Sequence, residues 1–366
     1  MNKTAFITMA LGAVLLVLSG VSCSKGSAPV SDGDSSFTVS QITVCPPVLT
    51  EDETKAEGGA VIYRVYWNIG DKLAIVNVSQ GNRIDTYTSL TRVENTNGSG
   101  QFQADAVYSY DPGDVVFAVY PYEAITNISN GATGYKVTVQ MTDYIDYYSR
   151  SNSPMFSKND IEVSRMLDAS SLKTSGSQYP GITMNRMIGM VRLLSHVSDS
   201  EVSRQRVNSV KFGVKGAFGQ ADVVFSGMEV GASPSITANS GSADEITINL
   251  PNHPTVGTGS ALLEFLPLFP ARLIEDGDLT GYTLRYYTDT HEVGFHRTMS
   301  NTLGSNQVMA MNIFEGAYTR VKSSKEAVGD YKWWYILKTG GESWSGGFGG
   351  EGETHYGSSP GGFISQ

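Results

Sequence analysis

The sequence predicts an all-β protein built as two β-sandwich domains in tandem, with a glycine-rich tail behind them. Three observations predict it. Short runs rich in Val, Ile, Thr, Tyr and Phe recur along most of the chain, separated by Gly, Asn, Asp and Pro, and no long helical period interrupts them. Tyr66 to Val76 and Asp114 to Tyr122 are apolar on both parities of the strand alternation, as in strands covered on two faces. The chain has 366 residues, more than one hydrophobic core usually serves.

The N-terminus is read apart from both domains. Lys3 precedes an apolar run from Ala5 to Leu18, too short to span a membrane as a mature helix, and Gly20-Val21-Ser22-Cys23 follows. Small residues before a cysteine at the end of such a run mark a lipoprotein signal peptide over residues 1–22, with Cys23 as the acylated residue (a palmitate-type anchor). Gly20 stands where such signals usually carry Leu, and ordinary secretion is the competing reading. Residues 23–36 are small and polar and read as a tether. With Cys23 lipidated, Cys45 has no partner, so no disulfide is expected. The net charge of −10 argues against a nucleic-acid partner, which requires a concentrated basic face.

The N-terminal domain is placed at residues 37–178. Phe37 to Cys45 is its first strand, stopped by Pro46-Pro47. The charged link Glu51 to Gly59 follows and is a site for proteolytic nicking, so the first strand reads as separable. Strands are then predicted over Val61 to Val78, interrupted by a Gly70-Asp71 turn, and over Ile84 to Val93. An Asn97-Gly98 hairpin signal leads to strands over Phe102 to Val107, Val115 to Tyr120 and Tyr135 to Met141. Ser170 to Pro180 reads as a linker. The C-terminal domain, residues 179–325, restarts with one buried strand over Ile182 to His196. Val207 to Val214, Ala221 to Phe225, Glu245 to Leu250, Ala261 to Leu268, Thr283 to Thr288 and Val308 to Phe314 follow. Residues 326–366 hold an aromatic strand, Tyr331 to Leu337, and then a segment with Gly at ten of 29 positions.

Motifs that would carry chemistry fail on context. Gly347 to Gly352 fits GxGxxG without the strand and helix a dinucleotide loop joins. Ser170-Ser171-Leu172-Lys173 and Lys338-Thr339-Gly340 echo a serine acyltransferase set whose third element is missing. Asp276 to Gly281 starts like a calcium loop but has Tyr287 in place of the bidentate Glu. His291 and His296, five apart, face opposite sides of a strand. No enzyme, cofactor or metal is expected.

Tyr66-Trp67-Asn68-Ile69-Gly70-Asp71-Lys72-Leu73, Gly100-Gln101-Phe102 and Val116-Phe117-Ala118-Val119-Tyr120-Pro121-Tyr122 occur in this order. Tyr147-Tyr148 with Met155-Phe156, Met187 to Leu193, and Phe265-Leu266-Pro267-Leu268 come after them. Together, over roughly residues 37 to 320, they resemble the fimbrillin family of surface lipoproteins. The resemblance implies two transthyretin-like sandwiches, an outer-membrane lipoprotein held by Cys23, and a non-enzymatic subunit of an adhesive pilus with a surface ligand. It further implies that a trypsin-like protease removes the first strand, and that another subunit's terminal strand fills the groove by β-strand addition. On this chain the cut falls at Lys55, or at Arg64 inside a strand signal; the family's protease usually reads Arg in the link, and Lys55 departs from that. The donor strand would present Tyr331, Trp333, Tyr335 and Leu337 on one face, or the same segment packs back on its own second domain. A carbohydrate-binding surface lipoprotein is the rival reading, because 19 Tyr and 4 Trp offer stacking platforms.

Overall fold

The computed structural model describes residues 35–47, 49–51, 62–63, 66–94, 99–131, 134–141, 158–173, 181–196, 206–255, 260–272, 282–288, 292–297, 302–314 and 334–335. The first strands are β1 (Phe37–Cys45), β2 (Leu49–Glu51), β3 (Ile62–Tyr63), β4 (Tyr66–Trp67), β5 (Lys72–Asn77), β6 (Arg83–Ser89), β7 (Val93–Glu94), β8 (Gly100–Tyr110) and β9 (Val115–Tyr120). There follow β10 (Ile125–Gly131), β11 (Gly134–Gln140), β12 (Glu162–Ser164), β13 (Leu167–Asp168), β14 (Ile182–Arg186), β15 (Gly189–His196), β16 (Val207–Phe225) and β17 (Pro234–Asn249). The last are β18 (Ser260–Leu268), β19 (Ala271–Arg272), β20 (Tyr282–Thr288), β21 (Glu292–Arg297), β22 (Thr302–Leu303), β23 (Gln307–Phe314) and β24 (Trp334–Tyr335). Two 3-10 turns, Tyr122–Ala124 and Ala169–Leu172, and a helical pair at 158–159 are the other helical structure among the described residues. The chain is all-β, and none of its described helices is long and apolar enough to cross a membrane.

The first sheet runs β12-β14-β1-β8-β6-β5-β9-β13, and β12 also pairs with β9. The hydrogen-bonded path therefore closes on itself, and a ring of seven strands encloses one core. Leu73, Ile75, Val116, Ala118 and Tyr120 point into it with Trp67, Phe102 and Tyr110. The opposite faces of β5 and β9, carrying Val76, Phe117 and Val119, pack in a second core against Tyr135, Val137, Val223 and Phe225. The double-sided apolar pattern of these two strands is thus the signature of strands shared between two cores.

The second sheet runs β10-β11-β16-β20-β21-β24, with β17 paired to β16; the third runs β18-β15-β23-β2-β3. Hydrogen bonds cross residue 178 in both directions: β11 pairs with β16, and β14 pairs with β1 and β12.

Three departures from the sequence reading have identifiable physical causes. The single strand expected over Ile182 to His196 divides into β14 in the ring and β15 in the third sheet. At the break, Met187 N donates to Ile161 O and Asn306 N donates to Ile188 O, so these peptide groups leave the ladder but stay satisfied. Gly189 follows because a Cβ there would sit 2.5 Å from Leu303 Cγ. Conversely, the strands expected over Val207 to Val214 and Ala221 to Phe225 are one 19-residue strand, β16. Its ladder with β17 slips between Gly213 and Phe218 and again between Gly219 and Ala221, and Gly216 and Gly219 have φ of +66° and +75°. The supposed linker from Ser170 begins as the 3-10 turn capped by the Asp168 carboxylate, which accepts from Ser170 N; Ala169 and Leu172 of the turn are buried in the ring core.

Candidate functional site

The site is the seat of β1 in the ring. The strand's β-branched residues alternate, and Val39, Ile42, Val44 and Cys45 are buried while Thr38 and Ser40 face out. On one side β1 runs antiparallel to β8 from Phe37 opposite Tyr110 to Val44 opposite Gly100. On the other it meets β14 in parallel at two positions only, Val44 opposite Ile182 and Cys45 opposite Thr183. One long ladder and a set of apolar pockets therefore hold the strand. The register with β8 slips between Val39, opposite Tyr108, and Gln41, opposite Gln103, and this puts the ends of the seat out of phase.

Side chains around the seat are fixed by packing and polar contacts. The Phe37 ring lies 6.0 Å from that of Tyr110, and Lys173 Nζ stands 4.3 Å over the Phe37 ring. Gln101 Nε2 donates to Thr43 Oγ1 at 3.0 Å. Inside, the hydroxyls of Tyr87 and Tyr110 share a 2.9 Å hydrogen bond, and burial pushes both phenols up. Tyr120 OH donates to Asp71 Oδ2 at 2.7 Å; burial raises the Asp71 carboxyl, a shift opposed by its hydrogen bonds from Asn68 and Tyr120. Asn68 N donates to the same Asp71 oxygen and so closes the tight turn into β5.

A buried charged cluster lies where β1 leaves the ring. The Arg186 side chain, 0 % exposed, is paired to Asp160 by Nε at 2.5 Å and Nη2 at 2.9 Å, and Nη2 also reaches Glu162 at 2.9 Å. Its Nη1 donates to Asn306 Oδ1 at 2.9 Å and to Pro47 O at 3.4 Å, tying the exit of β1 to the turn before β23. Burial, and then the Asp160 carboxylate, push Glu162 well above its ordinary 4.5 against the pull of Arg186, and Glu162 Oε2 has no hydrogen-bond partner. Of the three side chains, Glu162 is the carboxyl whose proton is held to higher pH by its surroundings.

A folded-state pKa above the unfolded value means the native chain keeps a proton that the unfolded chain loses. This contribution to stability is fully present below pH 4.5 and is lost as the pH rises toward the raised value. Glu162→Gln is therefore expected to flatten the decline in stability between pH 4.5 and neutrality, measured by denaturant midpoints across that range. A wild-type-to-variant difference that does not change with pH would overturn the protonation assignment.

The structure accounts for few of the residues expected to act. Cys23, Lys55, Arg64, Tyr331, Trp333 and Leu337 lie outside the described residues. Tyr335 is in β24, which runs parallel to β21 with Tyr335 opposite Val293, in a different sheet from the seat of β1. Cys45, expected to be unpartnered, is disulfide-bonded. The Arg186 cluster was not anticipated; its only trace in the sequence is one basic residue inside the apolar run Ile182 to Met190, after the charged Asp160-Ile161-Glu162. Trp67, Tyr87, Tyr110, Tyr120 and Tyr135 are among the largest fully buried side chains, so these aromatics build cores and offer no stacking surface. No group of three or more His, Cys, Asp or Glu that could hold a metal occurs among the described residues. A cavity of about 400 Å³ lies between Arg165, Asn185, Pro234 and Ser305; Arg186 borders it, but its side chain is buried and already engaged.

Fold and site together define an all-β chain whose first strand completes a ring formed otherwise by later strands. No family model matches the chain, and no curated protein matches it. It is similar to solved structures of adhesion and fimbrial proteins. A putative cell adhesion protein from Bacteroides uniformis shares 12% identity over 75% of this chain and 93% of its own, with a TM-score of 0.41. A fimbrial protein from Bacteroides ovatus shares 10% over 78% of this chain and 52% of its own, at 0.32. The tip fimbrial protein Mfa3 from Porphyromonas gingivalis, truncated at its C-terminus, shares 8% over 75% and 95%, at 0.30.

Proposed function

We propose that the chain is a non-enzymatic structural or adhesive subunit of a surface pilus, fimbrillin-like, in which β1 is a placeholder for a strand supplied by another subunit. One observation carries the reading. A strand from the chain's leading end supplies Val39, Ile42 and Val44 to the ring core, yet it is paired along its length on one side only. Removing it would leave an unpaired β8 edge beside apolar pockets, which a second chain can complete. The motifs from Tyr66 to Tyr122 support the same reading, since they form the two-faced strands beneath the seat. Two transthyretin-like units divided near residue 178 belong to this proposal, with β14 and β11 each pairing across the division. So do cleavage at Lys55 or Arg64, a surface ligand, and anchorage in the outer membrane through lipid on Cys23. One sulfur cannot hold both a thioether lipid and a disulfide, so lipidation requires a Cys23 free of any bond to Cys45.

Purified mature chain treated with a trypsin-like protease is expected to be cut between residues 51 and 64 and to gain the ability to join other pilus subunits, read by size-exclusion chromatography and electron microscopy. Cutting there that leaves only monomer in the presence of the host's other subunits would reject the proposal. The intact mass of the mature N-terminus reports lipid on Cys23 directly.

A further inference from the structure

Which strand could replace β1 is written in the shape of its seat. The inward residues of β1 are Phe37, Val39, Ile42 and Val44, so the spacing is two, three and two. The odd step follows from the register slip against β8. Val39 is 5 % exposed and Ile42 and Val44 are 0 % exposed, and the same core already holds Trp67, Tyr87, Phe102, Tyr110 and Tyr120. A core packed to that density has no room for a larger ring at the Ile42 position. The flank is close as well: at Gly181 a Cβ would stand 3.0 Å from Thr43 O.

The chain's own aromatic segment does not meet these requirements. Every register that keeps the spacing within residues 329–339 puts Trp, Tyr or Lys at a buried seat. Starting at Gly329, Tyr331 and Trp334 replace Val39 and Ile42; starting at Asp330, Lys332 replaces Val39. From Tyr331, Trp333 and Lys338 replace Val39 and Val44, and from Lys332, Trp334 replaces Val39. The part of this segment that the structure describes pairs with β21 instead.

We propose that the seat of β1 accepts an extended segment of a different chain carrying β-branched aliphatic residues at spacing two, three and two, and rejects this chain's own aromatic tail. Copies of this chain then do not polymerise through that tail. The inference rests on the reading of β1 as a replaceable strand and names the chemistry of its replacement.

The test is strand exchange in the full mature chain carrying a specific protease site within residues 52–61. After nicking, fluorescent peptides are added and followed by anisotropy: residues 37–51 with Cys45→Ser, the same peptide with Ile42→Trp, and residues 329–339. The first is expected to enter the seat, the Ile42→Trp peptide to bind about tenfold or more weakly, and the tail peptide not to enter. Tail-peptide binding as tight as that of the 37–51 peptide, or an Ile42→Trp peptide of unchanged affinity, overturns the selectivity while leaving the replaceable strand standing. If even the 37–51 peptide fails to enter the nicked chain, the replaceable strand itself is wrong, and the selectivity falls with it.

Discussion

Arg186→Met is expected to destabilise the chain by about 3–5 kcal/mol, the usual consequence of removing one partner of a buried ionic group. Asp160 and Glu162 are about 1 % and 0 % exposed, and neither has another basic partner within the cluster described around Arg186. Without the guanidinium, two carboxyls face each other in a site that water does not reach, and Pro47 O and Asn306 Oδ1 lose their donor. Equilibrium denaturation at neutral pH measures the loss. The double variant Asp160→Leu with Arg186→Met tells whether the loss comes from stranded charge, because removing both charges should recover much of it. A loss under about 1 kcal/mol for Arg186→Met would show that the cluster is not buried as described.

Ile42→Asp is expected to empty the seat of β1. The isoleucine side chain is fully buried, so its replacement forfeits roughly 2–5 kcal/mol of burial and packing, and an unpaired carboxylate adds several more. A strand joined by one long ladder can leave before that whole penalty is reached, so the measured loss is capped by the cost of releasing β1. With β1 released, limited proteolysis between residues 51 and 64 should be faster in the variant than in the parent. Ser40→Asp, two residues away on the outer face, is the control and should change stability by no more than about 0.5 kcal/mol. Equal behaviour of the two variants would mean that β1 does not fill the core.

Most strands could be read from the sequence because their causes are local. β-branched alternation with a proline stop placed Phe37–Cys45 at its observed bounds, and the two-parity apolar runs of β5 and β9 announced strands between two cores. What the sequence hid depends on distant pairing. β10 is polar, with Ile125 and Ile128 only partly buried, and it was not anticipated. β12 has three residues and gains its place by pairing with β9 and β14. The break at Met187-Ile188 is decided by Ile161 and Asn306, which no window around residue 187 contains. The Arg186 cluster is invisible for the same reason, since its members meet only when β12 and β14 pair. The seat of β1 was half legible: the strand and its separability were read in the residues, whereas its step of three comes from the slip in β8.

The geometry of β16 also bears on how load passes through the molecule. Its first half is bonded to β20 and its second half to β11, while β17 runs beside both halves. A pull along this strand, from β20 toward β11, meets ladder hydrogen bonds lying across the direction of force, so they are strained together in shear and do not open one after another. Tension between the strands that back the ring and those near the tail can therefore pass along a continuous β-ribbon, whose ladder is interrupted around Gly216 and Gly219.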